Sequence, residues 1–353
     1  MNKKRGFKRA LIAIGVVLLA LGAASGGVAL RYYYTFHHPN IGPLEEPVVI
    51  YVPTHATFDT LLDSLDAQHF LLKRNSFIRA ANKEQLPERV KGGRYELTSG
   101  MNNKAIVRTF ALGLQSPVNL VISGNIRSVE RLSAVLTRNI EADSLSMLLV
   151  LTNEEFIRPM GFDSTSLFCL FLPNTYQVYW TTPAEKIIER LYKEYNTFWS
   201  EERRNKAASI GLSLHQVSTL ASIVYEETRY QPEMATVAGV YMNRLRIRMP
   251  LQADPTLIFS LRESTPIRRV LSRDRKVDSP YNTYMHRGLP PGPICVPSIA
   301  TLEAVLNYET HNYLYFCAKS DFSGSHIFTT NYNDHLRNAR AYHRALNERG
   351  IMR

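Results

Sequence analysis

The sequence contains few cysteines, the residues whose disulfides stabilise small secreted folds, and it lacks the motifs of several enzyme classes. Only 3 of its 353 residues are Cys, too few for a disulfide framework. It has no G-x-S-x-G, S-x-x-K or K-T-G motif, which argues against acyl-serine enzymes and penicillin-binding proteins. It also has no H-E-x-x-H, no C-x-x-C and no glycine-rich phosphate loop. We therefore expect neither a metal site nor a cofactor.

Acidic residues are outnumbered by basic ones, and the excess is uneven along the chain. There are 42 Lys and Arg against 31 Asp and Glu, and five of the cations lie in the first nine residues. The remaining excess is diffuse and has no Arg-rich arm or aromatic RNA-binding motif, so we expect no nucleic-acid partner. A hydrophobic content of 45% allows a packed core. The length suggests about two domains.

Residues 10–30 form a long stretch without a charged side chain. As a helix they would span about 30 Å, the thickness of the hydrocarbon core of a bilayer. Basic residues precede the stretch, and the tyrosines at 32–34 follow it as an aromatic belt. We predict a single-pass anchor in the inner (cytoplasmic) membrane, with residues 1–9 as a cytoplasmic tail and the rest on the periplasmic or extracytoplasmic side. The alternative is a cleaved signal peptide, for which residues 23–26 offer small side chains.

Two folded units are predicted beyond the anchor, which gives an α+β fold. Residues 31–47 form a linker whose second half is rich in Pro. The first unit, residues 48–117, is predicted as strand–helix–strand–helix, with elements at 48–52, 57–65, 92–97 and 103–112. The second unit, residues 118–353, opens with a strand at 118–122. Its predicted helices lie at 129–136, 185–203, 213–228 and from 333 onward, and residues 167–172 are predicted as a buried strand that contains Cys169.

The helix predicted at 213–228 carries two adjacent acids on different faces. Ser213 and Gln216 form a capping-box pattern at its start. Apolar residues then follow at helical spacing and define a buried stripe. At about 100° per residue, Glu226 falls opposite that stripe and Glu227 falls beside it. We therefore predict that Glu226 is solvated and that Glu227 is partly buried.

Partial burial would give Glu227 a chemistry that an exposed Glu lacks. Desolvation disfavours the carboxylate and raises its pKa. A Glu with a pKa of about 6 can donate a proton to a glycosidic oxygen. The alternative is a structural ion pair between Glu227 and an arginine such as Arg244.

Uncharged hydrogen-bonding groups are dense after this helix. Such amides, hydroxyls and tyrosine rings suit sugar hydroxyls and pyranose faces. A Pro-rich loop at 288–294 would hold them rigidly on a cleft wall, although Pro could equally stiffen that loop for packing alone. The candidate substrate-binding residues are Ser222, Asn243, Gln252, Asp254, Thr256, Tyr281, Asn282 and Tyr284.

Specific motifs occur at residues 220–228, 237–245, 249–256, 281–284, 288–294 and 313–316. In order and spacing they resemble the YceG-like family of membrane-bound endolytic murein transglycosylases. The resemblance covers nearly the whole chain and implies that Glu227 is the catalytic acid. It also implies a LysM-like first unit and a YceG-like catalytic second unit. The chain departs from the family pattern at Tyr225, where the family usually has Glu, and at Phe168–Cys169, where it usually has an acidic residue and Gly.

The resemblance implies cleavage of the MurNAc-β-1,4-GlcNAc bond within peptidoglycan glycan strands. The product would carry a 1,6-anhydroMurNAc end, and cleavage would terminate elongation of the nascent strand, with a peptidoglycan synthase complex as a partner. Glu227 would act as acid and then as base, so a second carboxylate is not required. Two alternatives stay open. One is a hydrolysing muramidase with Asp254 as second carboxylate, and the other is a membrane-tethered peptidoglycan-binding scaffold without activity.

Overall fold

The chain folds into two compact units, and the computed structural model describes residues 2–261 and 274–350. The first unit comprises Met1–Val118 with Gln177–Thr182, and the second comprises Asn119–Tyr176 with Pro183–Arg353. Both combine helices with two-stranded sheets, so the predicted α+β class is confirmed. Nothing in the sequence pattern indicated that residues 177–182 return to the first unit.

The apolar N-terminal segment forms one long helix, α1 (Asn2–Phe36). Its stretch Ile12–Phe36 is long and apolar enough to cross a membrane, and its most apolar part is entirely unburied. The helix continues beyond residue 30 into the predicted linker, and Phe36 at its end is buried in the first unit. A long helix that exposes its apolar side chains in this way is typical of a membrane anchor.

The first unit contains a two-stranded antiparallel sheet with helices packed against it. In chain order its elements are β1 (Val48–Val52), α2 (Phe58–Ala67), α3 (Arg74–Lys83), β2 (Gly93–Leu97) and α4 (Asn103–Leu112). β1 pairs with β2 so that Ile50 lies opposite Tyr95. The ring of Tyr95 meets that of Phe110 edge to face, with centroids 4.8 Å apart, in the core between sheet and helix.

Helix α3 was not predicted, so the strand–helix–strand–helix order expected for this unit is wrong. Its buried face consists of Ser76, Phe77, Ala80 and Ala81, among which only Phe77 is large and apolar. A hydrophobic pattern this weak does not predict a helix. Packing against α4 and against the end of α1 stabilises it instead.

The second unit is mainly helical and has two small sheets. β3 (Val118–Ile122) pairs with β4 (Asn174–Val178), and β5 (Tyr315–Ala318) forms an antiparallel pair with β6 (His326–Thr329). Its described helices are α5 (Val129–Leu136), α6 (Ser144–Thr152), α7 (Glu154–Ile157), α8 (Ala184–Phe198), α9 (Glu201–Ser209), α10 (Leu214–Glu227), α11 (Met234–Arg246), α12 (Asp254–Leu261), α13 (Ile299–Leu306) and α14 (Tyr332–Glu348).

Two predictions about elements of the second unit are wrong. The apolar residues Leu167–Leu170 form a 3-10 turn rather than a strand, although Cys169 is buried as predicted. The helix predicted at 185–203 is two helices, α8 and α9. Ser200 caps the start of α9 by accepting a hydrogen bond from the amide of Arg203.

Helix α10 lies at the centre of the second unit, packed against α11, α12 and α13. The capping box of Ser213 and Gln216 is present, and the apolar stripe at 217–224 is buried, as predicted. The helix is also buried on its polar face. The hydroxyls of Thr219 and Ser222 donate to backbone carbonyls within α10, so this face is buried without leaving those donors unpaired.

Candidate active site

Glu227 is the last residue of α10 and keeps a partial exposure to solvent. Its Oε1 accepts a hydrogen bond of 2.7 Å from the hydroxyl of Tyr241 on α11. Among the described residues, this is the one hydrogen bond to its carboxyl group, and no ion pair involves it. The C-terminal end of a helix carries a partial negative charge, which disfavours a carboxylate there. The predicted partial burial of Glu227 is confirmed.

The surroundings of Glu227 favour its protonated form. Burial raises the pKa of Glu227 from its usual 4.5 to about 7. The negative charges of Asp254 and Glu226 act in the same direction, whereas the Tyr241 hydrogen bond and the charge of Arg244 oppose it. At neutral pH the group therefore exchanges readily between acid and base.

Arg244 does not neutralise Glu227, which removes the proposed structural ion pair. Its Nε donates to the carbonyl of Leu314 at 2.7 Å, and its Nη1 donates to the carbonyl of Leu251 at 2.5 Å. Its guanidinium also lies 5.4 Å from the ring centroid of Tyr315. The buried Arg244 thus joins α11 to two neighbouring segments. It affects Glu227 only through its positive charge, which lowers the pKa of that group.

Tyr241 was not among the predicted site residues. It is 1% exposed, and its ring meets that of Phe316 in β5 edge to face at 6.0 Å. Burial raises the pKa of Tyr241 well above its usual value, so its hydroxyl stays a proton donor. In the sequence, Tyr241 is marked only by its position within the motif at 237–245. That motif does not show which of its residues faces Glu227.

Glu226 is not solvated, which corrects the helical-wheel prediction. Its side chain is 5% exposed and forms an ion pair with Arg127, which precedes α5. A second cation, Arg229, lies 3.6 Å from its other carboxylate oxygen. A wheel finds the side of the helix that faces away from the apolar stripe. It does not show whether a distant segment covers that side.

Four of the predicted substrate-binding residues offer surface to a ligand. Asp254, the first residue of α12, is exposed, and its Oδ1 accepts a hydrogen bond of 2.5 Å from the hydroxyl of Tyr284. Tyr281 is partly exposed, and its ring lies 4.7 Å from that of Phe259. Gln252 is exposed and has a left-handed backbone with φ of 49°, an uncommon conformation outside Gly. The negative charge of Asp254 raises the pKa of Glu227. The charge of Glu227 in turn contributes to the raised pKa of Tyr284.

The other four do not offer such a surface, so direct contact with a substrate does not fit them. Ser222, Thr256 and Asn282 are fully buried, and Asn243 is nearly so. Ser222 accepts a hydrogen bond from the amide of Ile294, and Asn243 donates to the carbonyls of His311 and Tyr313.

The same buried residues hold the exposed ones in place. The hydroxyl of Thr256 pairs with that of Thr283, which also accepts a hydrogen bond from the amide of Ala253. Asn282 accepts a hydrogen bond from the amide of Tyr284. These contacts fix the backbone on either side of Asp254 and next to Tyr284.

The two departures from the family pattern lie in different surroundings. Tyr225 is partly exposed, and the guanidinium of Arg229 lies 3.8 Å from its ring centroid. Phe168 and Cys169 are buried in the core and present no polar group at the surface. Tyr225 therefore adds a cation–π contact to the arginine that also neutralises Glu226.

Comparisons with known proteins identify the family. The sequence model of the YceG-like family matches residues 50–341, and the protein belongs to that family. An endolytic murein transglycosylase of Bacillus subtilis (strain 168) is 30% identical over 311 residues, which cover 81% of this chain and 84% of the relative. An endolytic murein transglycosylase of Streptococcus pneumoniae serotype 2 (strain D39) is 30% identical over 173 residues, which cover 47% of this chain and 30% of that protein.

A solved structure agrees with this assignment. The crystal structure of a YceG-like protein from Listeria monocytogenes matches with a TM-score of 0.54 and 25% identity, covering 83% of this chain and 99% of that one. The resemblance predicted from the motifs is therefore confirmed.

Proposed function

We propose that this protein is a peptidoglycan lytic transglycosylase that cleaves the MurNAc-β-1,4-GlcNAc bond within glycan strands, with Glu227 as its catalytic residue. The observation that carries the proposal is a partly exposed Glu227 whose pKa is raised to about 7 and which has no neutralising partner among the described residues. Such a group can both donate and accept a proton at neutral pH. The names of the relatives from Bacillus subtilis and Streptococcus pneumoniae support the same activity.

Glu227 starts the reaction in its protonated form. It donates its proton to the glycosidic oxygen as the bond from that oxygen to muramyl C1 breaks, and GlcNAc leaves with a free 4-hydroxyl group. The Glu227 carboxylate then accepts the proton of the muramyl C6 hydroxyl while the C6 oxygen bonds to C1. This step closes the 1,6-anhydro ring and restores the proton to Glu227, and no water is consumed. The Tyr241 hydroxyl stabilises the carboxylate between the two transfers.

A hydrolysing muramidase is the second candidate, because Asp254 is exposed and its charge acts on Glu227. In that reaction Asp254 would serve as the second carboxylate. Transglycosylation is favoured because Asp254 accepts the hydrogen bond of Tyr284 and because the relatives are named for it. Of the seven other candidates, the exposed or partly exposed Gln252, Tyr281 and Tyr284 would bind the sugar directly. The buried four would support them, namely Ser222, Asn243, Thr256 and Asn282.

Digestion of purified peptidoglycan sacculi, followed by mass spectrometry of the soluble products, tests the proposal. We expect muropeptides with 1,6-anhydro ends, each lighter by one water than the hydrolysed product.

Glu227→Gln should lower kcat by about 10²–10⁴-fold, because proton transfer is lost. The matched control is Glu154→Gln, which changes an exposed carboxyl group paired with Arg158 on the surface, and it should keep full activity. Asp254→Asn should cost a factor comparable to that of Glu227→Gln only if Asp254 is the second carboxylate of a muramidase. Hydrated reducing ends would indicate the muramidase. Binding of sacculi without release of products would indicate the non-catalytic scaffold.

The membrane topology and the role of the first unit belong to the same proposal. The exposed apolar face of α1 and the cations before it support an anchor with a cytoplasmic N-terminus and an external catalytic unit. The β1–α2–α3–β2 order with an antiparallel sheet supports a LysM-like, glycan-binding first unit.

An anchored enzyme would meet glycan strands as a synthase complex makes them, and cleavage would then terminate their elongation. An alkaline phosphatase fused after residue 47 should be active, and an inactive fusion would contradict this orientation.

A further inference from the structure

A basic cavity lies in the first unit, beside the point where α1 leaves its charge-free stretch. Its volume is about 440 Å³. Four of its lining side chains are cationic, namely Arg31, Lys73, Arg74 and Arg79, and none of its lining residues is acidic. Such a concentration of like charge is unfavourable by itself and favours an anion as its occupant.

The cavity keeps most of its positive charge in the folded protein. Arg74 forms an ion pair of 2.5 Å with Asp66 at the surface. Within residues 2–261 and 274–350, no ion pair involves the other three cations, Arg31, Lys73 and Arg79. Three positive charges therefore remain available to a ligand.

The start of α3 adds backbone donors to the same cavity. Lys73, the N-cap residue, forms no side-chain capping hydrogen bond. In the described part of the chain, the amides of Arg74 and Asn75 have no hydrogen-bond acceptor, and Ser76 also lines the cavity. Free amides at the positive end of a helix favour an anion, and a phosphate above all.

Buried amide side chains hold this site rigid. Asn40 accepts a hydrogen bond of 2.7 Å from the amide of Lys73 and donates one of 2.6 Å to Asn103. Asn103 donates to the carbonyl of Thr35 at 2.7 Å and to the hydroxyl of Ser76 at 3.1 Å. Both asparagines are almost completely buried. They join the end of α1 to the starts of α3 and α4, so the cavity is formed before any ligand binds.

The depth of the cavity relative to the anchor indicates which anion it meets. Arg31, Tyr34 and Thr35 follow the charge-free residues 10–30 within the next turn and a half of α1. With residues 10–30 in the hydrocarbon core, as the sequence predicts, these three residues would lie about 1.5–8 Å beyond it, which is the depth of the lipid headgroups. Leu72, next to Lys73, is exposed and can enter the same interfacial layer.

We propose that this cavity binds the phosphate of an anionic phospholipid headgroup. The proposal rests on the membrane anchor described above and is independent of the glycan chemistry at Glu227. Headgroup binding would fix the rotation of α1 and hold the first unit against the bilayer surface, beyond what an apolar helix alone can do.

Native mass spectrometry of the full chain in a non-ionic detergent tests the site. We expect saturable binding of dioctanoyl phosphatidylglycerol, and no saturable binding of dioctanoyl phosphatidylcholine. The double variant Lys73→Gln/Arg79→Gln should bind phosphatidylglycerol about 25-fold more weakly, since each cation near an anionic membrane surface contributes about five-fold. Lys91→Gln/Arg108→Gln removes two exposed cations of the first unit outside the cavity, and it should bind within about two-fold of the unchanged protein.

Three results would overturn the proposal. They are no saturable phosphatidylglycerol binding, an equal loss in both double variants, and displacement of the lipid by inorganic phosphate at the same concentration, which would indicate a site for free phosphate. Release of muropeptides from sacculi by the same preparations reports the activity separately. Failure of the lipid site is thereby distinguished from failure of the proposed enzyme.

Discussion

Glu226 and Glu227 are adjacent residues with opposite electrostatic surroundings. Glu226 is buried between Arg127 and Arg229, so its charge is compensated. Glu227 is desolvated with one hydrogen bond, from Tyr241, and no cation paired with it in the described structure. Two carboxyl groups with environments this different are suited to different roles, Glu227 to proton transfer and Glu226 to a structural ion pair.

Tyr241→Phe should move the pH dependence of glycan cleavage upward. The Tyr241 hydrogen bond lowers the pKa of Glu227, so its removal raises that pKa above about 7. The protonated acid then persists to higher pH, and the alkaline limb of kcat/KM shifts in that direction. At neutral pH, kcat should fall by about 10-fold, because the carboxylate loses a hydrogen bond to a charged group.

The control for this variant is Tyr176→Phe, which removes another buried tyrosine hydroxyl. That hydroxyl donates to the carbonyl of Leu172 at 2.8 Å. Tyr176→Phe should reduce the free energy of unfolding by about 1 kcal/mol and leave the pH profile unchanged. Superimposable pH profiles for the Tyr241→Phe variant and the unchanged protein would show that Tyr241 does not tune Glu227.

Helix α10 and the Pro-rich loop at 288–294 are joined by a buried hydrogen bond rather than by apolar packing alone. Ser222, one turn before the end of the helix, accepts from the amide of Ile294 at 3.0 Å. The next residue, Cys295, lies against the carbonyl of Ser222 with its Sγ at 3.7 Å. The element that carries Glu227 is therefore tied directly to the loop beside it.

Ser222→Ala should destabilise the second unit without removing any group that meets a substrate. The amide of Ile294 would stay buried without an acceptor, which costs about 1–3 kcal/mol. Urea unfolding of the full chain in detergent measures the effect. Thr219→Ala is the control, because the Thr219 hydroxyl bonds a carbonyl within its own helix and its loss leaves no buried amide unpaired. Equal losses in the two variants would show that the connection to the loop contributes nothing.

The chain combines an unpacked apolar helical segment with two folded units, and the boundary between that segment and the first unit lies inside α1. Side chains from residue 12 to residue 30 are exposed almost throughout. Phe36, Asn40 and Ile41 are each at most 2% exposed and belong to the first unit. Folding of the first unit therefore depends on the last turn of α1 but not on the segment before it.

Deletion of residues 2–30 should yield a soluble protein that unfolds cooperatively and still releases muropeptides from sacculi. Deletion of residues 2–41 should abolish the cooperative unfolding transition of the first unit, because it removes Phe36, Asn40 and Ile41 from the core of that unit. Differential scanning calorimetry of the two truncated chains measures both outcomes. Equal unfolding profiles would contradict this assignment of the boundary.

The sequence alone was enough to predict the long apolar N-terminal helix, the capping box and apolar stripe of α10, the partial burial of Glu227 and the family. Each of these rests on local periodicity or on a motif of fixed spacing. Tertiary structure decided the rest. Arg127, 99 residues earlier in the chain, buries Glu226, and a hydroxyl of the next helix reaches Glu227. Ser222, with other polar residues that looked available to a sugar, is taken up by backbone partners. Periodicity reports which side of an element a residue occupies, whereas the burial of a polar group depends on partners that only the folded chain brings to it.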